Sequence, residues 1–174
     1  MEKRLTRTEE ALSVRRLTGD DLPVCAEVIR RSFLTVAEEF GLTPENAPRY
    51  AAFATTEEAL RQRIADPRRP LFACFDGQGR MAGCYGLSDR GNGTCEMERL
   101  CVLPALRRRG VGETLVRHAM EQAREAGYDR ITIGIIAENQ ALKKWYEGFG
   151  FVSVGTEKYD FFPFTCGFME KRLD

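Results

Sequence analysis

Between Thr94 and Ile136 the chain runs once from a strand-like segment, TCEMERLCVL, through a long amphipathic stretch into a β-branched run, RITIGII. A strand, one long helix and a second strand form the usual crossover unit, which pairs the two strands in parallel with a right-handed connection. The preceding segments behave differently. LFACF, the turn DGQGR, MAGCYGLS and the turn DRGNG lead into TCEMERLCVL, a spacing that predicts three consecutive antiparallel strands joined by Gly-rich hairpins. A sheet holding both patterns is mixed. The near-continuous apolar run of RITIGII predicts a strand buried on both faces.

Around this centre the other elements follow from local signals. LSVRRLT alternates as a first strand; Thr18-Gly19-Asp20-Asp21 caps a helix from Leu22 to about Phe40; LTPENAPRYAAFA reads as a loop; and Thr55-Thr56-Glu57-Glu58 opens a second helix to Asp66. After RITIGII come a short helix from Asn139 to about Gly148 and two last strands around FVSVGTEKY and FTCGFMEKRL. The order is β-αα-βββ-α-β-α-ββ. It predicts an α/β fold of the α+β type: one domain over residues 1–174, with a mixed, mostly antiparallel twisted sheet of six to seven strands and about four helices. The sheet is expected to splay where the parallel strands part, and residues 1–11 are expected to form a flexible stub.

Charge narrows the partners. Lys plus Arg number 26 and Asp plus Glu 26, so no global field gathers nucleic acid or anionic lipid, and any anion site is local. The stretch MEKRLTRTEEALSV lacks the apolar core of an export signal and no run is long enough to span a bilayer, so the cytoplasm is expected and neither membrane nor nucleic acid as partner. The six cysteines show no C-x-x-C pair and sit among apolar neighbours, which predicts reduced, buried thiols. The single histidine, His118, lies inside a helical pattern, so neither a Cys-His nucleophile nor a His-rich metal site is expected, and no metal is assigned.

The junction Arg107-Arg108-Arg109-Gly110-Val111-Gly112-Glu113 has a sharper reading. It lies between a strand and a helix; its glycines let backbone approach a ligand, and the first helical N–H groups lack intrahelical partners. With arginines beside it, such a turn suits a pyrophosphate. It is neither a P-loop nor a dinucleotide G-x-G-x-x-G.

At this point ERLCVLPALRRRGVGETLVRHA and NQALKKWYEGFGF, about 30 residues apart and in this order, resemble the two coenzyme A motifs of the GNAT superfamily of acyl-CoA-dependent N-acetyltransferases. The resemblance spans Leu12 to Leu173 in element order. It implies acetyl-CoA as cosubstrate, with the pantetheine arm on the backbone of Cys101, Val102 and Leu103, the pyrophosphate on the turn from Arg107 through Gly112 to Glu113, and Asn139 and Tyr146 beside the pantetheine and thioester. Leu142 and Trp145 depart from the family's pattern. On periodicity alone Leu142, Trp145, Tyr146 and Phe149 form a core stripe; the resemblance makes Tyr146 the acid that protonates the departing thiolate.

The acceptor side is a primary amine of a small molecule or a peptide. Glu96 and Glu98, two apart on one strand, share a face; the resemblance places a carboxylate base for the amine at Glu96, Glu98 is a second candidate on that face nearer the coenzyme, and ion pairs with neighbouring arginines are the competing role. The family's acceptor walls fall on Phe33 to Phe53 and Tyr159 to Phe164, which include Phe33, Tyr50, Phe53, Tyr159 and Phe162. Aromatic walls beside carboxylates suit a cation with an apolar body. A homodimer is compatible with the resemblance. The alternative function is a CoA-binding sensor or scaffold that does not turn over.

Overall fold

A computed structural model describes residues 11–174. The expected N-terminal stub, apart from Ala11, lies outside them. The strands are β1 (Ser13–Arg16), β2 (Leu71–Phe75), β3 (Met81–Gly91), β4 (Thr94–Val102), β5 (Arg130–Ile136), β6 (Val152–Lys158) and β7 (Thr165–Arg172). The helices are α1 (Leu22–Glu39), α2 (Ala51–Ala54), α3 (Glu57–Ile64), α4 (Val111–Glu125) and α5 (Gln140–Glu147). One mixed sheet has the order β1-β2-β3-β4-β5-β7-β6, and β4 with β5 is its parallel pair. No described helix is long and apolar enough to cross a membrane.

Element boundaries have local causes. Before α1 the Thr18 N–H donates to the Asp21 carboxylate at 2.8 Å, and past its end Gly41 turns the chain at φ 66°. Thr56 Oγ1 accepts from the Ala59 N–H at the start of α3, with Glu57 and Glu58 in its first turn. The segment expected to be all loop closes instead in the single turn α2, whose three alanines are strong helix formers.

Period-2 alternation sorts the side chains onto two faces. Phe72 and Cys74, with Tyr85, Cys95, Met97, Ile131 and Ile133, pack under α4 and α5. Leu71 and Ala73, with Cys84 and Cys101, pack against α1 and α3. A third cluster joins Ala37, Leu42 and Tyr50 to Ile136 and Phe164 at the end of the sheet. Five cysteines are buried and Cys166 is half-buried, all as free thiols.

β5 corrects one expectation. It is not buried on both faces: Ile131 and Ile133 are inside, Thr132 is half-buried and Gly134 exposed. The cause is the neighbouring gap. β4 and β5 pair only from Thr94 to Glu96 against Arg130 to Thr132. Beyond that β4 stays with β3 as far as Val102, and β5 stays with β7 as far as Ile136. Each strand keeps its outer partner while the inner pairing ends, so the sheet opens as expected. A bulge in β4 accompanies the opening: Arg99 has φ 56°, and the register slips between Cys84 opposite Cys101 and Gly86 opposite Glu98.

Candidate active site

A cavity of about 840 Å³ fills the gap between β4 and β5. At one end lies the start of α4. Gly110 caps this helix at φ 82°, and a Cβ there would meet nothing within 4 Å. The Thr114 N–H is bonded to Gly110 O at 3.0 Å, so the N–H groups of Val111, Gly112 and Glu113 precede the first intrahelical bond. Arg108, Gly110, Gly112 and Glu113 line this end. Arg107 lines it too, but its guanidinium serves the protein: Nε donates to Val102 O at 3.1 Å, and Nη2 to Ser32 O at 3.0 Å and Thr35 Oγ1 at 2.9 Å. It clamps the turn to α1. Arg109 and Val111 are not in the lining, and Val111 is core. Glu113 is paired with Arg117 at 2.9 Å.

Cys101 and Val102 line the middle, whereas Leu103, whose N–H donates to Ala82 O at 2.8 Å, continues the pairing with β3. Opposite stands α5. Asn139 caps it through Oδ1, which accepts from the Leu142 N–H at 3.1 Å. Tyr146, 5% exposed, lies against Trp145 and Phe151 with ring centroids 5.0 and 5.5 Å away. Burial holds its phenol above the usual range, and its side chain lines the cavity. So the periodic stripe is real packing, and one of its members still faces the opening. Trp145 closes the wall beside α4, where a Cβ on Gly112 would sit 3.3 Å from the indole.

Glu96 and Glu98 share a face, as the spacing predicts, but only Glu96 lines the cavity. Arg90 joins them: Nε donates to Glu96 Oε2 at 2.6 Å, and Nη2 donates to that same oxygen and to Glu98 Oε1 at 2.8 Å. Glu98 Oε2 also accepts from Arg63, a buried guanidinium that donates to Leu87 O at 3.0 Å. The two carboxyls therefore titrate in opposite directions. For Glu96, burial pushes the pKa up and Arg90 offsets only part of that. For Glu98, burial also acts upward, but the Arg63 hydrogen bond and charge outweigh it and hold the pKa down. Glu98 is held by two guanidiniums, Arg63 and Arg90, whereas Glu96 is held by Arg90 and also lines the cavity.

At the far end Phe33, Tyr50, Tyr159 and Phe162 line the cavity as expected. Phe53 does not; it packs behind Tyr50 with ring centroids 6.3 Å apart. Sequence reasoning missed Ser32, Gly134, Ile135, Ile136, Cys166 and Phe168 in the lining. A glycine inside the apolar run RITIGII was the available signal, because mid-strand glycine marks close approach of another group. Ser32 Oγ is buried and has no hydrogen-bond partner among the described residues.

Residues 33–151 match the model of the Acetyltransferase (GNAT) family. The N-acetyltransferase YjgM of Escherichia coli is 32% identical over 141 residues, covering 79% of this chain and 80% of that one. Among solved structures, the PaiA N-acetyltransferase of Thermoplasma acidophilum in complex with coenzyme A superposes with a TM-score of 0.80 at 19% identity, over 93% of this chain and 99% of that one. The ribosomal-protein-S18-alanine N-acetyltransferase of Escherichia coli gives 0.74 at 17% identity, over 94% of each chain.

Proposed function

The chain belongs to the GNAT acetyltransferase family, and from that premise we propose that it transfers an acetyl group from acetyl-CoA to the primary amine of a small molecule or peptide, by direct attack with both bound. The observation that carries the reading is the cavity itself. It runs through the sheet, with the start of α4 at one end, Tyr146 on the α5 side and Glu96 on the other. Orphan helical N–H groups, a capping glycine without a neighbour and the unpartnered Ser32 hydroxyl fit a long ligand with a pyrophosphate and an amide-bearing arm. Bound acetyl-CoA supplies an acetyl group already activated as a thioester.

The side chains then have separate tasks. An alkylamine with a pKa of about 10.4 is mostly protonated at neutral pH, and freeing its lone pair costs roughly 4–5 kcal/mol. Glu96, raised by burial, accepts that proton directly or through water. The amine nitrogen forms the new C–N bond, the C–S bond breaks, and its electron pair goes to sulfur. Tyr146, kept protonated by burial, donates its proton to that sulfur. The nitrogen's second proton, released as the amide forms, reaches the Tyr146 phenolate through solvent, and Glu96 passes the first to bulk water, so the products are amide, free thiol and one net proton.

The test is thiol release across an amine and peptide panel, with acetyl-CoA affinity measured by calorimetry. Tyr146→Phe and Glu96→Gln should each lower kcat/KM by ~10²–10⁴ while acetyl-CoA affinity holds. Tight acetyl-CoA binding with no turnover on any amine would instead establish the non-catalytic sensor.

A further inference from the structure

Resting on the acetyltransferase reading, we propose that the acceptor is a primary monoamine on an apolar, ring-bearing body, with neither a carboxylate nor a second ammonium group. Charge in the cavity is unevenly divided. Of its charged lining residues, Arg107, Arg108 and Glu113 belong to the turn and first turn of α4, so the rest of the lining contributes one charged side chain, Glu96. Around it the acceptor end is aromatic. Tyr50 meets Phe33 and Phe164 edge-on with centroids 5.8 and 6.1 Å apart, and Phe162 stacks on Phe164 at 4.7 Å. Phe168 and Ile136 extend the same apolar surface.

Three cations outside this lining already have partners. Arg90 is shared between Glu96 and Glu98, Lys158 Nζ donates to the carbonyls of Tyr159 and Phe162, and Arg49 lies over the Phe161 ring at 4.4 Å. An amino acid seated with its amine at Glu96 would bring its carboxylate into a wall whose described lining, away from the start of α4, holds no guanidinium or ammonium, and Arg90 is already shared by two carboxylates. That carboxylate would also lie near Glu96, of like charge. A polyamine fails for the opposite reason: a second ammonium would find no second carboxylate in the lining away from the start of α4, where Glu113 is already paired with Arg117. A ring on a short alkyl chain meets neither penalty and fills the wall that Phe33, Tyr50 and Phe162 provide.

The experiment compares initial rates of thiol release with saturating acetyl-CoA for 2-phenylethylamine, phenylalanine and spermidine, the second differing from the first by its carboxylate alone. The expected result is a kcat/KM for 2-phenylethylamine at least ~100-fold above both others, because a charge buried without a partner is penalised more heavily than an unpaired neutral group. Turnover of phenylalanine or spermidine within tenfold of 2-phenylethylamine, or faster, overturns the inference and leaves the transferase reading standing. Silence with all three and with a wider amine and peptide panel, with or without acetyl-CoA binding, overturns both. Thiol release with that wider panel alone overturns only the acceptor class.

Discussion

Gly83 in β3 is the position where one added carbon should separate folding from function most clearly. It lies opposite Val102, and a Cβ built there would sit 2.3 Å from the carbonyl oxygen of Cys101 and 3.2 Å from both Leu115 Cδ1 and the Val102 Cα. The first neighbour is backbone, so it has no rotamer through which to escape. Restoring an ordinary contact needs β3 and β4 to part by about 1 Å, an overpacking cost of ~1–3 kcal/mol. It also strains the adjacent Leu103 N–H to Ala82 O bond of 2.8 Å, worth ~0.5–1.5 kcal/mol. Together these give about 3 kcal/mol for Gly83→Ala, and at ~2–4 °C per kcal/mol for a domain of this size the melting temperature should fall by roughly 6–12 °C. Because the displaced segment is the cavity wall Cys101–Val102, kcat/KM at a temperature where the variant is folded should fall by up to ~100-fold, as a misplacement of that size can cause. Gly134→Ala is the control. Its Cβ would meet Phe168 at 3.8 Å and Glu96 Oε1 at 4.0 Å, ordinary contacts, so stability should hold within ~1 kcal/mol. Scanning calorimetry and acetyl-CoA titration measure both variants. A Gly83→Ala protein melting within 2 °C of wild type, on the ~2–4 °C per kcal/mol scale, would refute the claim that β3 pins this edge of the cavity.

Gly110→Glu places a carboxylate at the start of α4, and Gly110→Ala imposes the same left-handed strain of ~1–2 kcal/mol without the charge; calorimetry should show acetyl-CoA affinity lost in the first and largely kept in the second. Arg90→Met removes the cation that holds Glu96 down against burial, so the Glu96 pKa rises and the acid limb of the pH dependence of kcat/KM moves to higher pH; an unmoved limb would exclude Glu96 as the base. Asp21 is held at about 2, below its ordinary 3.8, first by its hydrogen bond from Arg15. Its folded pKa lies below the unfolded value, so its stabilisation is present above about pH 4 and lost as pH falls through about 2. Asp21→Asn should cost ~1 kcal/mol near neutrality, with the difference closing toward pH 2 in chemical denaturation.

Most of the framework was legible because it rests on local periodicity. The single strand-helix-strand crossover dictated the one parallel pair, the Gly-rich hairpins dictated the meander, and the turn before α4 announced itself by composition. What could not be read were properties of side-chain partners far apart in the chain. Nothing near Arg107 says that its guanidinium is taken by Ser32 and Thr35 on α1, and nothing near Glu98 says that Arg63, 35 residues earlier, claims its carboxylate. The pair Glu96 and Glu98 looked equivalent by spacing. Only Arg63 breaks the tie. Phe53 failed for a similar reason, since an aromatic in the right segment can stand behind the wall as readily as in it.

The bulge at Arg99 explains how one strand serves both sides of the cavity. Cys95 and Met97 pack under α4, so strict alternation would put Arg99 and Cys101 on that face and Leu100 and Val102 with Glu96 and Glu98. The observed arrangement is inverted beyond the bulge: Cys101 joins the cluster under α1, while Leu100 and Val102 pack on the α4 side. One extra residue changes the parity. Upstream, β4 presents Glu96 to the cavity; downstream, it turns Leu100 and Val102 toward the face from which Tyr146 enters. The residue carrying the change is an arginine at φ 56°, with no glycine or asparagine to signal it. Its Nη1 donates to Thr55 Oγ1 at 2.7 Å, and Thr55 is 1% exposed, so a buried tether from the segment between α2 and α3 holds the strained residue. The helical segment beside the aromatic end of the cavity is thereby tied to the strand geometry that places Glu96.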